Sequence, residues 1–366
     1  MTRVAVVGGG VAGALLAWRL HTGHPSAAEG HHPDPEGHRP DPEGHRPVPG
    51  GHRPVLDVFV GARPGPADAS GASGGLVRGY EPDPAAAAIA AASLAELRAD
   101  PVLRAWAGYR EVGCAYLLPP GADPGPSVRV VADLLPGSIE VGAPPAAFHT
   151  GGVAVTERHA GHLSPAALRA AVLAHLVDAG VAVRAERVTA VAPGEVRTAG
   201  GTTSGYDAVV VAAGAWTPRL LAASGLDVMD LRTKQIQFTV YDATVPGLGT
   251  FVDTATGLYG RPVADGLLLG LHCDRWDVDP DATVADEALA ARIGPVARDL
   301  FGDVLGRPIR TVASFDCYHP EPGLALRTSA PGLYTFTGGS GGAAKTVLAA
   351  SATAARELSY RATQEV

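Results

Sequence analysis

Apolar positions follow two rhythms along the chain, and their order predicts the architecture. Residues 4–7 form a short β-branched apolar run, three glycines follow at 8–10, and residues 11–20 carry apolar side chains at the close spacing of a buried helix. This reads as strand, glycine turn and helix. A second apolar run at 56–60 reads as a parallel strand, and the alanine-rich stretch 84–98 as a helix. Residues 116–118 and 128–131 read as short strands. Ser164 and Pro165 open a helix as N-cap and first helical residue, and Gly180 closes it. Strands follow at 181–183, 187–191 and 208–211, then at 236–240, 257–259 and 267–271 with few helices among them. A helix over 283–300, a strand over 333–337 and a helix over 346–358 complete the pattern. The ends are α/β and much of the middle is strand-rich. That order predicts an α/β chain of two domains: a Rossmann-like nucleotide-binding domain assembled from distant segments, and an inserted antiparallel-sheet domain for substrate. The first domain takes residues 1–80, 150–220 and 315–366, the second 81–149 and 221–314.

One stretch fits neither rhythm. From Glu29 run four tandem seven-residue units, "EGHHPDP", "EGHRPDP", "EGHRPVP" and "GGHRPVL". Proline in every unit and the lack of an apolar heptad pattern exclude a coiled coil. Residues 29–54 are therefore expected to be a disordered surface loop, a repeat expansion in a tolerant position. Its five histidines, His31, His32, His38, His45 and His52, make no specific metal site on such a tract.

Composition narrows the class. With 366 residues, 46% of them hydrophobic, the chain can bury a large core. A net charge of −8 offers no basic field for nucleic acid or an anionic membrane. The first residues enter a strand, so no signal peptide is expected, and no apolar run reaches the ~18 residues of a membrane span. The three cysteines, Cys114, Cys273 and Cys317, have neither disulfide-framework nor zinc spacing, which fits a reducing cytoplasm. The abundance of alanine, glycine and proline reads as genomic bias.

The chemistry begins at "VVGGGVAG". Gly8, Gly10 and Gly13 form GxGxxG between a strand and a helix. Gly8 permits the turn, Gly10 lets a pyrophosphate approach the backbone, and Gly13 lets helix and strand pack closely. Val11 and Ala12 open the helix whose amides and dipole would receive the phosphates. The motif also calls for an acidic residue at the end of the second strand. Gly61 and Ala62 stand there instead, Arg63 follows, and Asp57 is at the wrong end. Either the ribose is held differently or Arg63 contacts a phosphate, and an arginine there also keeps an NADP reading open.

"YDAVVVAAGAWTPRLL", residues 206–221, changes the balance. With it the chain resembles the FAD-dependent amine and amino-acid oxidases of the D-amino-acid oxidase superfamily, nearest in look to monomeric sarcosine oxidase and its relatives. The resemblance places Ala213, Gly214 and Trp216 at the flavin and the backbone near Val188 at adenine. In "DASGASGGLVRGYE", the loop that wraps the flavin, it gives Ser70, Ser73 and Gly74 to the cofactor and Arg78 to a substrate carboxylate. "LYGRPVADGLLLGLH" matches the substrate hairpin, with Tyr259 and His272 in the pocket. "GGSGGAAK" matches the glycine-rich loop at the flavin pyrimidine, with Gly339, Gly341 and Gly342 at the cofactor and Lys345 as a cofactor contact and second carboxylate-binding group. An arginine fork and a lysine point charge suit a carboxylate. "SFDCYHPEPG" places Cys317 where relatives carry a thioether to the flavin, so covalent FAD is expected, with Tyr318 and His319 beside it. The bland alternative is a buried thiol. Leu268 stands where the family presents a lysine over the flavin to promote oxygen reduction, a departure that puts fast oxidase chemistry in doubt.

The reading is a cytoplasmic FAD enzyme that oxidises a C–N bond of a small secondary or cyclic amino acid or amine by hydride transfer. Arg78 and Lys345 would orient the carboxylate; Tyr259, His272 and His319 would shape the pocket and keep the amine neutral. Oxygen or another acceptor would reoxidise the flavin. No nucleic acid, metal or membrane partner is expected, and a monomer is favoured. The proline- and histidine-rich insert in an Ala/Gly-biased oxidoreductase is associated with bacterial secondary metabolism, such as antibiotic biosynthesis. The rivals are a dehydrogenase or tailoring enzyme that bypasses oxygen, a non-catalytic FAD-binding protein, and an NADP-dependent reductase resting on Arg63.

Overall fold

The computed structural model describes residues 2–23, 53–61 and 68–364. The repeat units up to His52, their histidines and Arg63 lie outside the described residues. The sheet nearest the N-terminus has six strands in the order Ala325–Ala330, Leu333–Thr337, Ala208–Val211, Arg3–Val7, Val55–Phe59 and Ala182–Arg184. All neighbours run parallel except the first two. Its central strands Arg3–Val7 and Ala208–Val211 read as near-continuous apolar runs because both faces are covered. Val4 and Val6 face a core built with the helices Val11–Thr22, Pro165–Asp178 and Ala343–Gln364. Ala5 and Val7 face a second core shared with the three-stranded meander Val188–Ala192, Glu195–Thr198 and Gly201–Ser204.

The other large sheet has eight strands. Its order is Pro308–Tyr318, Arg232–Tyr241, Gly266–Gly270, Tyr259–Val263, Thr250–Asp253, Cys114–Leu118, Val153–Glu157 and Ile139–Gly142. It is antiparallel except where Thr250–Asp253 runs parallel to Cys114–Leu118. The helix Glu287–Phe301 closes its core through Leu289, Ile293 and Leu300. Val153–Glu157, inside a segment assigned by sequence to the nucleotide domain, pairs in this sheet instead. Among the described residues no helix is long and apolar enough to cross a membrane.

Residues 128–131, expected as a strand, belong to the helix Gly125–Leu134. The β-branched residues suggested a strand, but two local features override them. Prolines flank the first helical position, and Ser127 and Val131, one helical turn apart, are the buried pair. The caps expected by sequence are present: Ser164 accepts from Ala167 N at 3.1 Å, ahead of Pro165.

Candidate functional site

A cavity of about 650 Å³ opens at the carboxyl ends of strands Arg3–Val7 and Ala208–Val211. Gly8, Gly10, Val11 and Ala12 line one wall, and Ala213, Gly214 and Trp216 another. Its backbone-lined shape follows from side chains that cannot be present. A Cβ on Gly8 would lie 2.2 Å from Ala212 O, and Gly8 has φ +132°, a conformation closed to L side chains. A Cβ on Gly13 would lie 2.1 Å from Gly8 O, so Gly13 serves packing behind the cavity rather than its lining. At Gly10 a Cβ would meet only Ser70 Oγ, at 3.6 Å, so the backbone faces open space. No N-cap side chain satisfies the helix that starts at Val11; the Val11 amide donates to Ser70 Oγ at 3.0 Å. Such a helix end beside a glycine-lined wall fits a pyrophosphate.

Val188 also lines the cavity, and Glu186 and Arg187 join it there. Glu186 accepts from Thr198 Oγ1 at 2.8 Å. It is a cavity-lining carboxylate two residues before Val188, and the sequence pattern did not single out its side chain. Asp57 has another task. Burial works to raise its pKa, but hydrogen bonds from Arg184, Arg3 and Tyr206 outweigh this and hold it below the usual carboxylate range. It ties three segments together at the far end of the sheet.

The other end of the cavity is bounded by Phe315, Asp316, Thr337 and Gly339. Cys317, the expected flavin anchor, does not line it. The thiol is fully buried, packed with Leu221 and Leu231. Burial pushes it up to about 11, so no thiolate is available near neutral pH. Asp316 is the residue that reaches the cavity. Its Oδ1 accepts from Cys317 N and its Oδ2 from Gly341 N, both at 2.8 Å, which latches the glycine-rich loop to the long strand. Burial raises the Asp316 carboxyl from 3.8 to about 6 despite those two amides. Between these values the folded chain holds a proton that the unfolded chain releases, so the contribution of Asp316 to stability falls as pH rises from about 4 to 6. Denaturant melts of wild type and Asp316→Asn across this range should show wild type losing stability relative to the variant. A pH-independent difference would mean that the carboxyl titrates normally.

The expected carboxylate pair does come together, but not around open space. Arg78 Nη2 and Lys345 Nζ both stand 2.7 Å from Glu81 Oε1. Arg78 also donates through Nε to Tyr80 O at 3.1 Å, with its guanidinium 5.1 Å from the Tyr116 ring centre. Burial lowers the Lys345 pKa to about 8, with Arg78 adding to the effect and Glu81 opposing it.

The remaining expected residues divide. Ser70 lines the cavity; Ser73 is spent on its own loop, its Oγ accepting from Gly75 N at 3.0 Å. Gly74 O accepts from Arg261 Nε at 2.6 Å, and Leu268, buried across from Arg261 in the hairpin, approaches Gly74. Arg261 thus reaches the loop that Leu268 cannot serve with a charge. Tyr259 sits beneath Gly270 and donates to Gln237 O at 3.3 Å; burial pushes its hydroxyl up to about 12. His272 is exposed, its ring against Gly257, and does not line the cavity. His319 Nδ1 accepts from Glu321 N at 3.0 Å within its own turn. Sequence reasoning missed a cluster beside loop residue Gly341: Tyr318, Trp276 at 5.1 Å between ring centres, and Lys234 Nζ 4.6 Å from the Trp276 centroid. The pairing of strands Arg232–Tyr241 and Pro308–Tyr318 sets Lys234 near Tyr318, and an isolated bridge between Lys234 and Trp276 brings in the third side chain.

The family model named DAO and described as "FAD dependent oxidoreductase" matches residues 52–356. No curated protein matches significantly by sequence. Among solved structures, L-proline dehydrogenase from P. horikoshii superposes with a TM-score of 0.74 at 14% identity, covering 98% of this chain and 93% of that one. Glycine oxidase from Geobacillus kaustophilus superposes with a TM-score of 0.73 at 19% identity, covering 99% and 95%. NikD, an unusual amino acid oxidase essential for nikkomycin biosynthesis, superposes with a TM-score of 0.67 at 19% identity, covering 97% and 94%.

Proposed function

The chain belongs to the DAO family of FAD-dependent oxidoreductases, and from that premise we propose that it oxidises a C–N bond in a small secondary or cyclic amine. The observation that carries this reading is the glycine-walled cavity, which runs from the helix end at Val11 to Asp316 and Gly339 at the foot of the large sheet. Bound FAD would supply the two-electron acceptor for hydride from the carbon next to nitrogen. Gly8, Gly10 and the first turn of helix Val11–Thr22 would hold its pyrophosphate, Val188 and Glu186 its adenosine side, and Gly339 with Asp316 its far end. Tyr259, Tyr318 and Trp276 would bound the amine with aromatic surface. Lys345, when protonated, adds a positive charge beside the Arg78–Glu81 pair. Such a field lowers the pKa of a nearby amine and keeps its lone pair free. His272 and His319 receive structural roles in this scheme, because one is exposed and the other is satisfied by its own turn.

The cofactor is proposed to be held non-covalently, because Cys317, the cysteine expected as anchor, is buried against leucines and protonated. The protein should purify yellow, and acid precipitation should leave the colour in the supernatant, for wild type and Cys317→Ser alike. Colour retained in the wild-type pellet alone would restore Cys317 as the anchor. The activity itself is tested by mixing the yellow protein anaerobically with small amines and following loss of flavin absorbance. An absorbance that no amine changes would reduce the chain to a flavin-binding protein.

A further inference from the structure

The cation pair that a substrate carboxylate would use already holds a carboxylate. Both cations approach the same oxygen, Glu81 Oε1, at 2.7 Å. All three side chains are largely buried. Burial works to raise the Glu81 pKa, yet Arg78 and Lys345 reverse this and leave it lowered, so Glu81 is charged at neutral pH.

Nor is Glu81 carried on a loose segment that a ligand can push aside. The amides of Gly79 and Tyr80 each donate at 2.8 Å to the two oxygens of Glu157, which is itself buried. On the other side Ser127 Oγ donates to Pro82 O at 3.0 Å, and Asp83 caps the helix Pro84–Ala99 by accepting from Ala86 N at 2.8 Å. The backbone is pinned two residues before Glu81 and again one and two residues after it. A second carboxylate entering here would meet a fixed like charge, and juxtaposed like charges are the usual means of rejecting a wrong ligand.

We propose that Glu81 is a specificity-determining residue. It supplies from within the chain the carboxylate that Arg78 and Lys345 would otherwise take from a substrate, so the substrate is a small secondary or cyclic amine without a free α-carboxylate, its α-carbon bearing hydrogen, alkyl, amide or ester. The proposal rests on the amine-oxidation reading for its substrate class, while the occupation of the cation pair stands apart from turnover.

Two measurements separate these parts. The first uses thermal melts of the purified holoprotein, wild type and Glu81→Ala, in sodium acetate or sodium chloride at matched ionic strength. The variant should melt lower than wild type, and acetate should raise its Tm saturably beyond chloride by filling the vacated position, while wild type responds equally to both salts. Acetate acting on wild type as on the variant, or no better than chloride on the variant, would overturn the occupation. The second uses wild type alone and survives a variant that does not fold. Anaerobic flavin reduction is compared for the matched pairs L-prolinamide and L-proline, and N-methylglycinamide and N-methylglycine. The amides should half-saturate at a concentration at least about tenfold lower than the acids, a difference of about 1.4 kcal/mol. Acids equal to or better than amides would sink the substrate class. If no compound reduces the flavin, the amine-oxidation reading and its substrate class fall together, and the melts still judge Glu81.

Discussion

Glu96→Leu is expected to destabilise the fold by about 3–5 kcal/mol, the usual cost of leaving one buried charge without its partner. Glu96 pairs with Arg19 Nη2, and neither side chain has appreciable access to water, at 2% and 0% exposure. Arg19 lies on helix Val11–Thr22 and Glu96 on Pro84–Ala99; Arg19 also donates to Leu348 O of the last helix at 3.2 Å. One guanidinium therefore joins three helices on the side of the six-stranded sheet away from the meander. The single variant keeps a cation in a dry interior. The double variant Arg19→Met with Glu96→Leu removes both charges and should recover most of the loss, since apolar replacement of a whole buried pair is often neutral or better. Chemical denaturation of the two single variants and the double variant gives the coupling directly. Losses that simply add would show that water reaches the pair.

Gly8→Ala should yield a colourless, destabilised protein. The added Cβ would collide with Ala212 O at 2.2 Å and Ala213 N at 2.8 Å, and alanine would have to hold φ +132°. Overpacking and backbone strain cost about 1–3 kcal/mol each. Gly10→Ala is the informative contrast. There the new methyl meets only Ser70 Oγ at 3.6 Å, so the fold should melt near wild type while flavin content drops, because the methyl occupies space the pyrophosphate needs. Flavin content on purification and the Tm of the apoprotein separate the two effects. Equal flavin loading of Gly10→Ala and wild type would mean that the phosphates do not approach the backbone at Gly10.

The glycine-walled end of the cavity was the legible part. Gly8, Gly10, Val11 and Ala12 line it with backbone and a helix start, and residues that shape a cavity in this way are contiguous in sequence. The apolar runs at 4–7 and 208–211 were equally plain, because strands buried on both faces show no alternation that could mislead. The two histidines were less so. The hairpin around His272 was recognised, but whether that side chain points into a pocket depends on which residues pack across from it, and Gly257 does. The segment around Val188 was recognised, but not the Glu186 side chain two residues before it, which reaches the cavity from the connection after strand Ala182–Arg184.

The amino-acid sequence by itself determined the nucleotide-binding α/β framework, the strand-rich second module and the identity of two cations, Arg78 and Lys345, that converge from residues 267 positions apart. Each of these rests on local propensity, glycine geometry or a run of motifs in order. Tertiary structure decided what those pieces face. In the strand Pro308–Tyr318, paired with Arg232–Tyr241, Phe315 and Asp316 reach the cavity while Cys317, opposite Thr233, is left packed on Leu221 and Leu231. A slip of one residue exchanges the faces of every side chain in a strand, and nothing within the strand reveals which face is wet. The charge around Arg78 was settled in the same way. Glu81 is only three residues away and visible in the sequence, but whether it turns toward the cations or toward solvent depends on Glu157, Ser127 and Lys345, brought to it from three separate elements by the packing of the whole chain.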